Sequence, residues 1–303
     1  MKRFFKHFSF VCFCVFFCLA GLINADQAVD DTVITWGEPH FPPYVITKGA
    51  NENKGIDDLI KQDIGEHLTG YTHVFRNANY AKILDNIKKQ KHMLITPLFK
   101  TAARQKYVHY SSIPSYLVLP NGFIINKADK KRFKPYLTRE NTLDIEKLIT
   151  SEDISIGINL GRSYSGILDE MIRKHGASFY KKSSIDLSES MIKMLKADRF
   201  DAMLGFPVEV KFVAQKAGID YNDFEVLPVN GMVLYSAVYF GGPKNEWGRN
   251  VIDKLDEILL KDGTIPRYVK FYENWLNDRD KQRYKKILER VYSKKYPQIY
   301  SAF

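Results

Sequence analysis

Arg104 lies in a sequence frame that suits the binding of an anion. It follows Thr101 by three residues and comes shortly after the apolar run 93–96, which is typical of a buried strand. A guanidinium group presents a planar fork of donors that holds a carboxylate through two parallel charged hydrogen bonds. Most arginines are solvated surface residues, so the frame alone does not define a site. It makes Arg104 a candidate carboxylate-binding residue.

Residues 161–166, Gly-Arg-Ser-Tyr-Ser-Gly, resemble the turn that carries a nucleophilic serine in hydrolases. That pattern requires glycine two residues after the serine, and Ser165 stands there instead. The seven histidines have no spacing that pairs one of them with a carboxylate and Ser163, and none that is typical of a helical metal site. Phosphate-binding glycine loops are absent from the sequence. We therefore expect a protein that is not an enzyme and holds neither a metal nor a cofactor.

The N-terminal residues have the pattern of an export signal. Lys2, Arg3 and Lys6 precede an apolar stretch over 8–22, and Ala25 offers a small residue for cleavage before Asp26. A membrane anchor is the alternative, but the apolar run is shorter than the ~20 residues that a spanning helix needs. The sequence therefore predicts a signal peptide over residues 1–25, cleaved after Ala25, and a mature protein in the periplasm.

Cysteine content and charge narrow the function further. The three cysteines, Cys12, Cys14 and Cys18, all lie in the predicted signal peptide, so disulfides, thiolate nucleophiles and zinc–cysteine sites are not expected in the mature chain. The formal net charge is +10, and a basic chain is a candidate for nucleic-acid binding. Export argues against nucleic acid, and the Lys and Arg residues are spread along the chain, with some concentration after Asn277. The charge is explained by a solvated basic exterior, and a mild positive excess also favours an anionic solute or an anionic membrane surface.

Short β-rich runs alternate with helical patterns, which predicts an α/β fold. Residues 33–36 are expected to form a strand, and a helical face with three- and four-residue spacing follows. The members of that face are Ile56, Leu59, Ile60, Ile64 and Leu68. A second alternating set begins near Leu119, with strands expected at 154–158, 201–204, 224–227 and 232–240. The extended segments 115–125 and 228–239 are expected to carry the chain between two lobes.

Six motifs in a fixed order make the chain resemble the polar amino-acid type of extracellular solute-binding proteins, family three, the receptor subunits of ABC importers. The resemblance covers residues 33–276. Its motifs are residues 37–44, 54–59, 101–104 with 110–114, 157–163, 198–203, and 261–266 with 272–276.

The resemblance implies a two-lobed, periplasmic-binding-protein-like (Venus-flytrap) fold of type II with two hinge strands. Lobe 1 is expected to comprise residues 26–116 and 236–276, and lobe 2 residues 117–235. Residues 277–303 would form a basic helical C-terminal extension. The extension has apolar residues at helical spacing, so it is expected to pack on lobe 1 or to dock a partner.

The resemblance also implies which residues bind the ligand between the lobes. Arg104 would clamp a ligand carboxylate, with Arg162 and Ser163 meeting it from lobe 2 beside the start of a helix. Phe41 and Tyr80 would form aromatic walls, and Glu38 would lie at the cleft mouth. The remaining expected ligand-binding residues are Thr96, Pro97, Phe99, Asn159 and Phe206.

Two positions depart from the family pattern. The family usually places an Asp, which pairs with the ligand's ammonium, where this chain has Phe206. A buried ammonium without a compensating carboxylate costs several kcal/mol. Glu38 and Glu209 are the candidates to replace that carboxylate. Arg162 is the second departure because it adds a positive charge where a hydroxyl is often found. Together the two departures favour an anionic ligand over a free amino acid.

The expected function is capture of a small carboxylate-bearing solute, either an amino acid, an organic acid or a small peptide fragment. The expected partners are this ligand and an ABC permease or a membrane sensor in trans, with no nucleic acid, and the protein is expected to be a monomer. The alternatives are an enzyme on the same fold, of the cyclohexadienyl-dehydratase kind, with Glu38 or Glu209 as the general acid or base, and a protein that presents a ligand to a membrane sensor.

Several of these residues also have structural interpretations. Phe41, Phe99 and Phe206 could belong to the hydrophobic core, and Arg162 and Tyr164 could be solvated turn residues. Trp36 and Trp275 are expected in the core.

Overall fold

A computed structural model of the chain describes residues 30–160, 162–164, 166–183, 189–261 and 263–297. The predicted signal peptide with its cleavage point, Gly161 and Ser165 of the serine-containing turn, and the last residues of the C-terminal extension lie outside the described residues. None of the helices in the described ranges has the length and apolar character needed to cross a membrane.

The first of two β-sheets has six strands in the order β2-β1-β3-β11-β4, with β5 also paired to β11. β1 runs parallel to β2 and β3, whereas β11 runs antiparallel to β3, β4 and β5. The strands are β1 Val33–Glu38, β2 Thr72–Asn77, β3 Met93–Phe99, β4 Val108–Tyr110, β5 Tyr116–Val118 and β11 Ser236–Pro243.

The second sheet has five strands in the order β10-β6-β9-β7-β8. β7 is parallel to β8 and β9, and β6 is antiparallel to β9 and β10. The strands are β6 Gly122–Asn126, β7 Ile156–Leu160, β8 Phe179–Ser183, β9 Ala202–Gly205 and β10 Phe224–Leu227.

Eleven α-helices are assigned within the described residues, and short 3-10 turns join some of them. They are α1 Ile56–His67, α2 Tyr80–Lys88, α3 Ala102–Gln105, α4 Lys130–Phe133, α5 Ile145–Thr150, α6 Gly166–Lys174, α7 Glu189–Lys196, α8 Pro207–Ala217, α9 Glu246–Leu260, α10 Thr264–Glu273 and α11 Asp278–Lys295.

Both sheets bury apolar side chains on both faces, because successive residues of a strand point to opposite sides. In β3, Leu94 packs in one cluster while its neighbours Met93 and Ile95 pack in another. In β9, Met203 and Leu204 divide in the same way between two clusters on the second sheet. This two-sided burial is typical of sheets covered by helices on both faces.

The chain crosses between the sheets twice. It leaves the first sheet after β5 and enters the second at β6, and it returns between β10 and β11. The two crossings fall in the segments that the sequence predicted, so the first sheet contains strands from both ends of the described chain. The α/β fold with two connecting strands is confirmed.

The last strand of the first sheet begins later than its apolar sequence predicted. β11 starts at Ser236, where it begins to pair with β5, and not at Met232. The preceding residues follow a turn at Gly231, whose φ is +79°, and Val233 and Leu234 are largely exposed. Apolar character alone did not make them a strand, because no neighbouring strand pairs with them.

Helix α11 packs on the core of the first sheet. Tyr284, Leu288 and Tyr292 of this helix are buried in the same cluster as Trp36 and Phe240. The Tyr284 hydroxyl also donates to the carbonyl oxygen of Leu117 in β5, 2.7 Å away. Of the two expectations for the C-terminal extension, the structure shows packing on the first sheet's core.

Candidate functional site

The carboxyl ends of β1 and β3 place several predicted residues at one edge of the first sheet. Parallel strands end at the same edge, where open α/β sheets commonly bind ligands. Glu38 is the last residue of β1, and Phe99 is the last residue of β3. Tyr80 begins α2 directly after β2 and donates a long hydrogen bond of 3.4 Å to the Pro97 carbonyl oxygen.

Arg104 is held at this edge by its short helix. Thr101 caps α3 by accepting a hydrogen bond from the Arg104 backbone N–H at 3.2 Å. The Arg104 Nη1 donates to the Phe99 carbonyl oxygen at 3.0 Å, and the Tyr110 hydroxyl donates to the same oxygen at 3.2 Å. This contact uses one side of the guanidinium fork, and the side chain remains partly exposed.

A cavity of about 450 Å³ opens between this edge and the second sheet. Phe99 and Thr101 contribute from the first sheet's side, and Phe206 contributes from the loop after β9. The other lining residues are Lys100, Pro120, Met232, Val233, Ser236, Ala237 and Tyr239. Its volume lies in the range of about 300–1,000 Å³ that is typical of small-molecule sites.

Aromatic side chains join the two sheets beside this cavity. Phe41 stacks on Tyr44 with ring centroids 5.1 Å apart. Both rings meet the edge of Phe206, at 6.4 Å and 6.2 Å. Phe41 therefore packs against Tyr44 and Phe206, and neither Phe41 nor Tyr80 is among the lining residues of the cavity. Phe41 and Phe206 are only partly buried, and Phe99 is 41% exposed, so these side chains are not fully enclosed core residues.

Arg162 forms a buried ion pair with Glu209. Its Nη1 and Nη2 donate to the two carboxylate oxygens at 2.8 Å and 2.7 Å, and the side chains are 5% and 1% exposed. The guanidinium also lies 5.3 Å from the Phe206 ring centroid. Burial lowers the pKa of Arg162, but the Glu209 carboxylate outweighs burial, and the net shift is upward. Arg162 is therefore not a solvated turn residue.

Of the other residues in the predicted second-sheet site, Asn159 is turned inward and Ser163 is exposed. Asn159 is 2% exposed, and its backbone N–H donates to the hydroxyl oxygen of Tyr164 at 2.8 Å. Tyr164 is fully buried, which excludes its interpretation as a solvated residue. Ser163 is exposed, and its hydroxyl donates to Asp169 at 2.6 Å. The Tyr164 backbone N–H donates to the same carboxylate at 2.7 Å. The Ser163 hydroxyl and the Tyr164 backbone N–H are the donors that an anion bound at this turn would use, and both already donate to Asp169.

Thr96 belongs to a buried carboxylate site inside the first sheet's core. Its hydroxyl donates to Asp57 at 2.7 Å, and the Tyr116 hydroxyl donates to the other Asp57 oxygen at 2.6 Å. Burial raises the pKa of Asp57 to about 7, against the opposing effects of these hydrogen bonds and of Lys61. Thr96 is fully buried, and the structure does not bring its side chain to the cavity.

Glu38 lies in the same buried region. Its carboxylate contacts the ammonium of Lys61, which also lies 3.4 Å from Asp58. Lys61 is 1% exposed. Asp58 in turn accepts the backbone N–H groups of Ile46 and Gly55. A Cβ at position 55 would lie 2.5 Å from the Tyr44 carbonyl oxygen, so glycine allows this close approach. Glu38 is therefore not part of the cavity lining.

A larger cavity, of about 890 Å³, lies between residues 40–51 and the helices α7 and α8. Its lining contains none of the residues that the sequence predicted as ligand-binding. We place the candidate site in the smaller cavity, because the predicted residues Phe99 and Phe206 line it. Arg104 is not a lining residue, but its guanidinium donates to the Phe99 carbonyl oxygen.

Sequence reasoning missed Lys100, Tyr239 and Met232. Lys100 lies over the rings of Tyr239 and Tyr110, with its Nζ 4.7 Å and 5.4 Å from their centroids. Lys100 could have been predicted from the sequence, because it lies between Phe99 and Thr101, next to the motif that contains Arg104. Tyr239 reaches the cavity through the antiparallel return of β11, and Met232 lies in the turn before that strand. No local pattern reveals either position. No cluster of side chains able to hold a metal ion occurs among the described residues.

Solved structures of other proteins share this fold and superpose on most of the chain. A probable amino-acid ABC transporter extracellular-binding protein from Bacillus subtilis is 20% identical, with a TM-score of 0.58 over 82% of this chain and 98% of that one. A histidine kinase sensor domain similar to periplasmic binding proteins is 13% identical, with a TM-score of 0.55 over 81% of this chain and 96% of its own.

A third is an ancestral amino acid-binding protein described as a precursor of cyclohexadienyl dehydratase. It is 16% identical, with a TM-score of 0.53 over 81% of this chain and 96% of that one. At these identities the likeness shows the two-lobed fold and not the ligand. Among proteins of curated function, no sequence matches this chain.

The family model for bacterial extracellular solute-binding proteins, family 3, matches residues 33–291. The match extends beyond residue 276, where the sequence resemblance was expected to end, and it takes in most of α11. With the two connected sheets and the cavity between them, this match shows that the chain belongs to family 3 of the bacterial extracellular solute-binding proteins.

Proposed function

We propose that the protein captures a small carboxylate-bearing solute in the cavity between its two lobes and delivers it to an ABC permease. The observation that carries this proposal is the Arg104 guanidinium, which donates to the carbonyl oxygen of Phe99, a residue that lines the cavity, and which remains partly exposed. An arginine fixed at one edge binds a carboxylate with the rest of its donors at a small conformational cost. The solute would be an amino acid, an organic acid or a small peptide fragment.

The two sheets supply the two lobes of this proposal. Lobe 1 comprises residues 26–116 and 236–276, and lobe 2 comprises residues 117–235. The connecting segments after β5 and before β11 would serve as the hinge, and closure would bring Phe206 over the ligand held by lobe 1. Arg162 takes a supporting role in this scheme, because Glu209 already uses both of its Nη groups. It would hold Phe206 in place from the lobe 2 side.

The family is extracellular, which supports export of this chain to the periplasm through its N-terminal segment. The permease would be a separate protein, and the receptor would act as a monomer. A membrane sensor in trans is the alternative recipient of the closed, ligand-bound form.

The geometry supports binding more than catalysis. A general acid or base must reach the substrate. Glu38 and Glu209, the carboxylates considered for that role, each contact a buried cation and are themselves only 8% and 1% exposed. Asp57, whose pKa burial raises to about 7, is fully buried behind Thr96 and Tyr116.

Calorimetry with a panel of amino acids, organic acids and short peptides tests the proposal. Arg104→Ala should weaken binding of the best ligand by about 2–5 kcal/mol, as expected for the loss of a charged partner in a closed site. Arg139→Ala is the matched control, because Arg139 is an exposed arginine of lobe 2 outside the cavity lining. Unchanged affinity in Arg104→Ala would show that the assigned site is wrong.

A further inference from the structure

The polar side chains around the cavity can all donate hydrogen bonds to an anion. Lys100 contributes an ammonium, and Thr101, Ser236 and Tyr239 contribute hydroxyl groups. The Thr101 oxygen already accepts the Arg104 backbone N–H, which leaves its hydroxyl proton for another acceptor. The described lining residues include no Asp or Glu. A carboxylate finds several partners in this cavity, whereas an ammonium meets the positive charge of Lys100.

The backbone carbonyl oxygen of Phe99, at the end of β3, already accepts two donors. A carbonyl oxygen has two lone pairs. Those of Phe99 receive Arg104 and the Tyr110 hydroxyl, at 3.0 Å and 3.2 Å. The Pro97 carbonyl oxygen receives the Tyr80 hydroxyl. An ammonium bound at the Phe99 carbonyl oxygen would have to displace one of its two donors.

Glu209 does not supply the missing negative charge. Its two oxygens accept both Arg162 nitrogens, and Oε2 also accepts the Phe206 backbone N–H at 2.8 Å. Turning the carboxylate toward a ligand would leave the guanidinium of Arg162, which is 5% exposed, without a compensating charge. Such a loss is strongly destabilising.

The remaining surface of the cavity is apolar. Phe99, Phe206, Met232 and Val233 face it, and Phe99 and Val233 are 41% and 60% exposed. Large apolar side chains left exposed around a concave site favour a ligand that covers them. A hydrophilic or extended anion would leave these side chains in contact with water.

We propose that the ligand is a hydrophobic monocarboxylate that lacks an ammonium next to its carboxylate, with an aromatic or branched body. The donors from Lys100 and Arg104 would hold the carboxylate, and Phe99, Phe206 and Met232 would cover the body. This inference rests on the proposed function, since it names the class of solute captured at the same site.

Two pairs of probes test the inference, because the members of each pair differ only by the amino group. The first pair is 3-phenylpropanoate and L-phenylalanine, and the second is 4-methylpentanoate and L-leucine. We expect each amino-free acid to bind at least tenfold more tightly than its amino acid by calorimetry on the purified protein. Arg104→Ala should weaken the amino-free acids at least tenfold.

Reversing the charge at Lys100 tests the cause of the preference. Lys100→Glu should weaken 3-phenylpropanoate at least tenfold and should narrow or reverse the preference over L-phenylalanine. Lys100→Met should weaken 3-phenylpropanoate without improving L-phenylalanine. Lys91→Glu makes the same charge change at an exposed turn away from the cavity and should change neither affinity. Melting temperatures of the free variants show whether each one is folded.

The outcomes separate this inference from the proposed function. Tight binding of L-phenylalanine or L-leucine that Arg104→Ala abolishes would overturn the inference and leave the function standing. Binding of hydrophilic carboxylates, with no binding of the four probes, would also overturn the inference and leave the function standing. If no carboxylate binds, or if Arg104→Ala changes nothing, both fail.

Discussion

At the scale of single residues, two buried charges have opposite surroundings. Arg162 has a bidentate carboxylate partner in Glu209, whereas Asp57 has only hydroxyl donors in direct contact and a raised pKa. A paired buried charge and a poorly compensated one respond differently to mutation and to pH. Each leads to a prediction about stability that does not depend on the ligand.

Glu209→Gln should destabilise the protein strongly. The substitution removes the charge that compensates Arg162 in a site where both side chains are at most 5% exposed. We expect the free energy of unfolding to fall by about 3–5 kcal/mol, measured by chemical denaturation. Glu146→Gln is the control, because it breaks an exposed pair with Lys174 and should cost about 0–1 kcal/mol. Equal losses in the two variants would contradict this account of the buried pair.

Asp57→Asn should change how stability depends on pH. Because burial raises the folded-state pKa of Asp57 from 3.8 to about 7, its contribution to stability is full below pH 3.8 and is lost as the pH rises through 7. Asparagine cannot ionise, so the variant should gain stability relative to wild type as the pH rises from 4 to 8. The gain should be at most on the order of 4 kcal/mol.

Asp85→Asn provides a control of opposite sign. A hydrogen bond from Lys89 lowers the pKa of this exposed carboxyl group, so its contribution to stability is present at neutral pH and is lost as the pH falls. Melting temperatures measured from pH 4 to pH 8 distinguish the two variants. A parallel pH dependence in wild type and Asp57→Asn would show that Asp57 keeps an ordinary pKa.

At the scale of elements, α11 is part of the hydrophobic core although it is strongly basic. Its buried members recur at helical spacing: Tyr284, Ile287, Leu288, Val291 and Tyr292. Asn277 caps the helix by accepting the Asp280 backbone N–H. The Lys and Arg residues between the buried positions cover the opposite, exposed face. The helix therefore stabilises the first sheet, which includes the hinge strand β5.

Leu288→Ala should show this contribution. Leu288 is 4% exposed, so its truncation leaves a cavity and should lower the free energy of unfolding by about 2–5 kcal/mol. Glu289→Ala alters the adjacent, exposed residue of the same helix and should change stability by less than about 0.5 kcal/mol. A small effect of Leu288→Ala in chemical denaturation would mean that α11 is detached from the core.

At the scale of the whole molecule, two groups of contacts join the lobes. In the first, Phe206 meets Phe41 and Tyr44. In the second, Phe212 of α8 lies 5.8 Å from Trp275, and Lys211 donates to the Asn274 carbonyl oxygen at 2.7 Å. Trp275, expected in the core, is only partly buried and joins the lobes. Arg279 of α11 also contacts Glu225 of β10.

Phe212→Ala should favour the open arrangement of the lobes. An aromatic pair is worth about 0.5–1.5 kcal/mol beyond the area it buries, and this pair exists only where the lobes meet. We expect a larger radius of gyration in solution scattering and a roughly two- to tenfold weaker ligand affinity. Tyr180→Ala removes a ring at the same 5.8 Å spacing from Phe200, but within lobe 2. Tyr180→Ala should leave the ligand affinity unchanged. If Tyr180→Ala and Phe212→Ala weakened binding equally, the loss in Phe212→Ala could not be assigned to the arrangement of the lobes.

The sequence alone determined the fold class, the family and the order of most elements. These depend on local patterns: the helical spacing of Ile56, Ile60 and Ile64, the apolar run of β3, and motifs within short segments. Local patterns missed β2, whose side chains are mostly exposed and lack an apolar alternation. Arg104 was identified from its frame, and its guanidinium donates to the carbonyl oxygen of Phe99, which lines the cavity.

The tertiary structure decided which polar groups remain available to a ligand. Arg162 and Glu209 are 47 residues apart, and Thr96 and Asp57 are 39 apart, so neither pairing is encoded in a local motif. Lys100 and Tyr239 meet only because β11 returns antiparallel to β3. A charge binds a ligand or a neighbouring side chain according to what packs against it, and that depends on contacts formed when the whole chain folds.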